Sequence, residues 1–282
     1  MSTAKQANQR VWLITGISRG FGREVALAAL AEGDYVIGTT RDGKSDVSSD
    51  RLSVLALDVN QAKDVTAVIA KAWAIRNRID VVLNNAGFGV LGAVEEVEEQ
   101  EARRVFDTNF FGTFHVIQAV LPLLRGQGHG HILNISSIGG IAGATGYGLY
   151  CASKFAVEGL SEALASEIKP FGIRVTIVEP GYFRTDFLSG NSLLRAGRII
   201  DAYASTSGKT RATADAKDGR QPGDPALAAK AIVSVTRAAE PPLRLVLGAD
   251  AFEGVRAKLA QVAGDLEAWK STTISTAFPE SA

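Results

Sequence analysis

The chain has 282 residues, 46% of them hydrophobic, enough to bury the core of one large domain. Thirty basic residues balance thirty acidic ones, so no global field attracts nucleic acid or an anionic membrane, and neither is expected as a partner. The only cysteine, Cys151, excludes an internal disulfide and a cysteine-rich zinc site, and it fits a reducing compartment.

Residues 1–9 read as a flexible polar tail without the apolar run of a signal peptide. No later stretch approaches the roughly 20 apolar residues that cross a bilayer. A soluble, cytoplasmic protein is therefore expected, with 10–282 as a single domain. Short apolar runs then alternate with longer amphipathic ones. Strands are predicted at 11–15, 35–39, 54–57, 81–83, 131–135, 174–178 and 244–247, and helices at 22–31, 62–75, 98–124, 150–168, 226–238 and 251–269. This alternation predicts a parallel sheet with helices on both faces, and nearly continuous apolar strands agree with it. The exception is 186–225, an irregular stretch with an apolar group at Leu193, Leu194, Ile199, Ile200 and Tyr203. A segment of that length inside a domain reads as a substrate loop or lid, although its apolar residues can equally pack the loop itself.

Thr15-Gly16-Ile17-Ser18-Arg19-Gly20-Phe21-Gly22 joins the first strand to the first helix. Its glycines let the chain turn sharply and let a diphosphate approach the free amides and positive dipole of the helix N-terminus. The spacing is G-x-x-x-G-x-G rather than the commoner G-x-G-x-x-G. The strand–turn–helix context nevertheless makes Gly16, Ser18, Arg19, Gly20, Phe21 and Gly22 a candidate dinucleotide cradle. An NAD site usually ends the second strand with a carboxylate for the ribose hydroxyls, whereas an arginine suits a 2′-phosphate. Here Thr39-Thr40-Arg41 ends the strand, so Arg41 with Arg19 predicts NADP(H) as the preferred cofactor. Asp42 keeps NAD(H) open as the alternative.

Tyr150-Cys151-Ala152-Ser153-Lys154 places a phenol and an ammonium four positions apart, on one face if the segment is helical. A free phenol titrates at about 10. A cation about 4 Å away, in an effective dielectric of about 20, stabilises the phenolate by roughly 4 kcal/mol. The pKa of Tyr150 is therefore expected to fall by about 3, into the range useful for proton transfer.

Together these motifs resemble the short-chain dehydrogenase/reductase family, closely over 11–184 and loosely beyond. The resemblance implies a doubly wound, Rossmann-like α/β sheet in one domain. It puts Asp58 and Val59 at the adenine and runs Asn84-Asn85-Ala86-Gly87 along the adenine-ribose side, with Asn85, Ala86 and Gly87 as cofactor contacts. The family's catalytic residues fall on Asn109, Ser137, Tyr150 and Lys154, with Ser136 as the fallback for Ser137. Tyr150 and Lys154 are also implied as cofactor contacts, Lys154 at the nicotinamide ribose. Pro180, Gly181, Phe183 and Thr185 match the segment that embraces the nicotinamide. Asn109 shares a stripe with Val105, Phe106, Thr113, Phe114 and Ile117, so it also reads as a buried amide satisfied by backbone groups. In the family such an asparagine holds a water that relays protons to the lysine.

The implied reaction is hydride transfer between NADP(H) and a carbonyl or secondary alcohol, with Tyr150 as the general acid or base. The apolar residues of 186–225 suggest a hydrophobic small-molecule substrate, and 88–95 with 221–225 resemble enzymes acting on steroids, retinoids or xenobiotic carbonyls. Family members commonly pair through the helices at 98–124 and 150–168, which implies a homodimer or homotetramer. A non-catalytic NADP(H)-binding regulator or scaffold is the alternative, yet it has no need for Asn109, Ser137, Tyr150 and Lys154 together. An epimerase or dehydratase would reveal itself by forming product without net NADPH consumption. His115, His129 and His131 lack metal-ligand spacing, so no metal is expected. Neither Ser136 nor Ser137 sits in G-x-S-x-G, which disfavours a serine hydrolase.

Overall fold

Along β1 (Val11–Thr15) successive side chains point to opposite faces of the sheet. Val11 and Leu13 enter one apolar layer, Trp12 and Ile14 the other, and all four are buried. The computed structural model describes residues 9–278, so the expected N-terminal tail lies outside the described residues except for Gln9. Beyond β1 the strands are β2 (Tyr35–Thr40), β3 (Leu52–Ala56), β4 (Val81–Asn84), β5 (Gly89–Leu91), β6 (Gly130–Ile135), β7 (Ile173–Pro180), β8 (Leu193–Arg195) and β9 (Arg244–Leu247). Seven of them form one sheet in the order β3-β2-β1-β4-β6-β7-β9, with every pairing parallel.

The helices are α1 (Gly20–Ala31), α2 (Ala62–Arg76), α3 (Glu99–Phe106), α4 (Thr113–Gln127), α5 (Gly148–Ile168), α6 (Lys209–Lys217), α7 (Pro225–Arg237), α8 (Ala249–Ala268) and α9 (Lys270–Ile274). Val65 of α2, Val120 of α4 and Leu164 of α5 cover the face that carries Leu13. Val25 of α1 and Ile232 of α7 cover the face that carries Trp12. The result is the expected single-domain, doubly wound Rossmann-like sheet. Strand order reverses beside β1, where the chain leaves toward β2 on one side and β4 on the other. A crevice at the C-terminal strand ends is the usual consequence of such a switch point.

Two expectations need correction. The helix predicted at 98–124 is broken into α3 and α4 by a π-helical segment, Asp107–Gly112. Sequence periodicity misses it because one wide turn barely disturbs the apolar stripe. The segment 186–225 is less irregular than predicted: it contains β8 and α6, and β8 pairs in parallel with β5 through Gly89↔Leu193, Val90↔Leu194 and Leu91↔Arg195. Three-residue strands carry too few alternations to be read from a sequence.

Candidate active site

The glycine turn is held from below. Gly16 and Gly20 adopt the left-handed φ values of 75° and 57°, which a side chain disfavours. Asn85 donates from Nδ2 to the carbonyls of Thr15 and Gly16, both at 2.9 Å, while Thr15 Oγ1 accepts from the amides of Asn85 and Ala86. An ideal Cβ on Gly22 would sit 2.2 Å from the Gly16 carbonyl oxygen and 2.4 Å from Asn85 Nδ2. Gly22 therefore packs behind the turn and, unlike Gly16, Ser18, Arg19, Gly20 and Phe21, does not line the cavity at the crevice. Gly22→Ala should push the turn apart, costing about 1–3 kcal/mol of stability and weakening dinucleotide binding. A thermal melt together with a binding titration checks this; unchanged values in both would refute the close packing.

At the end of β2, Arg41 lines the cavity together with Arg19. Among the described residues neither guanidinium has an ion-pair or hydrogen-bond partner. Asp42 is turned into its own loop, where Oδ1 accepts from Thr40 Oγ1 and from the Lys44 amide, both at 3.1 Å. Those hydrogen bonds, the Lys44 amide first, hold its carboxyl below the usual range. Asp58 and Val59, after β3, and Asn85, Ala86 and Gly87, after β4, form the adjoining wall.

Tyr150 and Lys154 lie on α5 at the inner end of the cavity, 8% and 6% exposed. The Lys154 ammonium donates to the Ile135 carbonyl at 2.8 Å and stands 5.9 Å from the centre of the Tyr150 ring. Burial overrides the expected effect of the lysine: it pushes the Tyr150 phenol above its ordinary value, with the Ser137 side chain opposing. The predicted fall is thus corrected, because the phenol has lost its water. Burial also pulls Lys154 down to about 8, against the opposing charge of Glu158. Between pH 8 and 10.5 the unfolded chain keeps the lysine proton that the folded chain has released, so stability rises with pH in that window. Relative to Lys154→Met, the wild type should gain on the order of 3 kcal/mol there. Urea unfolding at the two ends checks it, and parallel behaviour of the two proteins would overturn it.

The two candidate serines separate cleanly. A Cβ on Gly139 would lie 3.4 Å from both Ser137 Oγ and Tyr150 Cε1, so these two groups flank one point. Ser136 also lines the cavity, but its Oγ crowds Gly140 together with Glu158 Oε1. Asn109 sits behind the cavity wall, 1% exposed, within the π-helical segment. Its amide exchanges hydrogen bonds with both backbone groups of Phe88 at 3.0 Å and donates to Ser153 Oγ, which bonds back to the Tyr150 carbonyl. The buried-amide reading describes this arrangement. Gly87 faces the gap between Asn109 Oδ1 and Lys154 Nζ.

The far wall comes from the end of β7. Pro180, Gly181, Phe183 and Thr185 all line the cavity, and Phe183 meets Phe21 of the glycine turn edge to face, with centroids 5.2 Å apart. Phe88, Tyr147, Tyr182, Phe187, Leu188 and Leu194 form apolar walls of the remaining space, while Asp186, Ser189, Ser192, Arg195 and Asp215 line it as well. Several supporting residues escaped the sequence reading. Asp250, at the start of α8, accepts from the Tyr182 amide at 2.8 Å and so fixes the β7 segment. Glu96 is fully buried and joins Arg211, the Ala93 amide and the Ile200 amide, tying 186–225 to the body. Arg211 foremost, with the Ile200 amide next, pulls its carboxyl down to about 2. Glu158 lies one helical turn beyond Lys154 and shares Arg244 with Glu162 and Glu179. Glu158 left a sequence signal in its spacing of four from Lys154; the contacts of Asp250 with Tyr182 and of Glu96 with Ile200 and Arg211 span 68 to 115 positions.

A doubly wound parallel sheet with a glycine turn and a buried tyrosine–lysine pair at its crevice defines a Rossmann-type oxidoreductase. Residues 10–193 match the model of the short chain dehydrogenase family. A short-chain dehydrogenase from Streptomyces avermitilis superposes with a TM-score of 0.89 at 41% identity, covering 96% of this chain and 100% of its own. The 3-ketodihydrosphingosine reductase of Bacteroides thetaiotaomicron is 37% identical over 239 residues, 85% of this chain and 88% of that protein. ElxO, in a structure with NADP bound, aligns with a TM-score of 0.72 at 25% identity, covering 87% of this chain and 99% of its own. The chain belongs to the short-chain dehydrogenase/reductase family and is an oxidoreductase.

Proposed function

We propose that the protein transfers a hydride between NADP(H) and the carbonyl or secondary alcohol of a hydrophobic small molecule. The observation that carries this reading is that Ser137, Tyr150 and Lys154 open onto one cavity of about 1330 Å³ that also contains the glycine turn. Single-ligand pockets hold about 300–1,000 Å³, so this space suits a dinucleotide together with a substrate. The residues fit such a cofactor. Gly16 and Gly20 leave room for a diphosphate at the N-terminus of α1, and the unpartnered Arg19 and Arg41 suit a 2′-phosphate. Asp58 and Val59 would hold the adenine, Asn85, Ala86 and Gly87 its ribose side, and Pro180, Gly181, Phe183 and Thr185 the nicotinamide. NADP in the related ElxO supports the choice.

Bound there, the nicotinamide supplies or accepts the hydride. The chain's own residues manage the proton and the geometry. Tyr150, kept protonated by burial, is the donor to a carbonyl oxygen, and Ser137 hydrogen-bonds the same oxygen. Lys154 holds the nicotinamide ribose, and its charge offsets the phenolate as the proton leaves. Asn109 fixes the start of β5 against α5, with a relayed water as its further role. The segment 186–225, anchored through Glu96, closes the apolar end over the substrate. Those apolar walls, and the keto-lipid named in the Bacteroides relative, support a hydrophobic ketone. A panel of ketones and aldehydes with NADPH and NADH, followed at the nicotinamide absorbance, tests the reading. Turnover should rise with substrate hydrophobicity and prefer NADPH; no carbonyl-dependent oxidation of either cofactor would overturn it.

A further inference from the structure

The start of α8 rests on the body, where Ala251 is fully buried, Asp250 holds the Tyr182 amide and Gly254 lies against Ile138. Its remainder does not: from Leu259 to Phe278 every residue is exposed. A helix of that length without tertiary packing is marginal in water. It is also apolar along one line. Phe252, Val255, Leu259, Val262, Leu266 and Trp269 follow one another at spacings of three and four, the a/d pattern of a coiled-coil seam. Phe252, Leu259, Leu266 and Trp269 are each more than half exposed, and Val262 is 41% exposed.

We propose that α8 is a homodimerisation element that pairs antiparallel with α8 of a second copy. Antiparallel pairing sets a positions against d positions, and the register then closes on itself. Phe252 meets Trp269, Leu259 meets Val262 and Leu266 meets Val255 of the other copy, so all six seam residues are matched. The charges agree with this arrangement. Lys258 and Asp265 flank the seam at g positions, face each other across the antiparallel pair twice by symmetry, and have no ion-pair partner in their own chain among the described residues. A parallel pair would instead set Asp265 against Lys270, which already pairs with Glu267 at 3.4 Å. The antiparallel arrangement also spaces the two bodies by about the length of the seam, roughly 27 Å for 18 residues at 1.5 Å each, whereas a parallel one brings both bodies to the same end. This interface is separate from the helices through which the family resemblance implies pairing, and it does not depend on the reaction proposed above.

Sedimentation velocity of the full chain over a concentration series tests it. Leu259→Asp with Leu266→Asp should halve the mass of the wild-type assembly while the helical circular dichroism of the body is retained. Lys258→Glu should raise the dissociation constant about tenfold at low salt, and adding Asp265→Lys should restore it. A wild type that stays monomeric, or a seam variant whose mass equals that of the wild type at every concentration, would overturn the proposal. Loss on Lys258→Glu without rescue by Asp265→Lys would overturn the antiparallel register.

Discussion

Tyr150→Phe is expected to lower kcat by about 10²–10⁴-fold, the usual contribution of a positioned proton donor. Cofactor binding should stay within about twofold of the wild type, because the dinucleotide cradle is built from other elements. Folding should survive as well. The ring packs against Phe187 and Tyr147 at centroid distances of 5.5 and 6.3 Å, contacts that phenylalanine keeps. Burial raises the phenol pKa, so the substitution removes a polar group that is costly to ionise where it stands. Single-turnover and steady-state kinetics on a verified substrate, with a separate NADPH titration, check both halves. Near-normal turnover would remove Tyr150 from the mechanism. Loss of turnover accompanied by loss of NADPH binding would recast the residue as part of the cofactor site.

Arg41→Ala is expected to raise the KM for NADPH roughly tenfold to a hundredfold, the scale of lost hydrogen bonds to a charged group. The KM for NADH should change little. At the end of β2 the neighbouring carboxylate, Asp42, is bound to its own turn and does not line the cavity. Arg19 approaches from the glycine turn, so the double variant with Arg19→Ala should lose further NADPH affinity. Raising the salt concentration should narrow the difference between NADPH and NADH, since exposed charges are screened. Equal changes for the two cofactors would show that Arg41 does not read the 2′-phosphate.

Much of the catalytic geometry was legible because it is local. Gly16 to Gly22 form one turn, and Tyr150 and Lys154 are one helical turn apart, so covalent connectivity nearly decides their relation. The serine assignment was only half legible. Spacing favours Ser137, thirteen positions before Tyr150, over Ser136, but which one flanks the phenol depends on how the chain turns after β6 into Gly139 and Gly140. The protonation of Tyr150 was misjudged for a similar reason. Spacing fixes which groups are neighbours, but desolvation depends on how many other elements cover them. Here Tyr147 and Phe187, from different segments, complete that cover.

The amino-acid sequence by itself determined the layered fold and the motifs that mark the family. Alternating apolar strands leave a parallel sheet little choice but two helical faces, and short motifs fix backbone turns over a few bonds. Only the tertiary structure decided the electrostatics and the supports. The placement of Gly22 and Asn109 behind the cavity, the clamp of Glu96 on Arg211, the hold of Asp250 on Tyr182 and the unpartnered seam of α8 all depend on packing between distant parts of the chain. Burial and long-range contact are properties of the assembled core, and no local pattern encodes them.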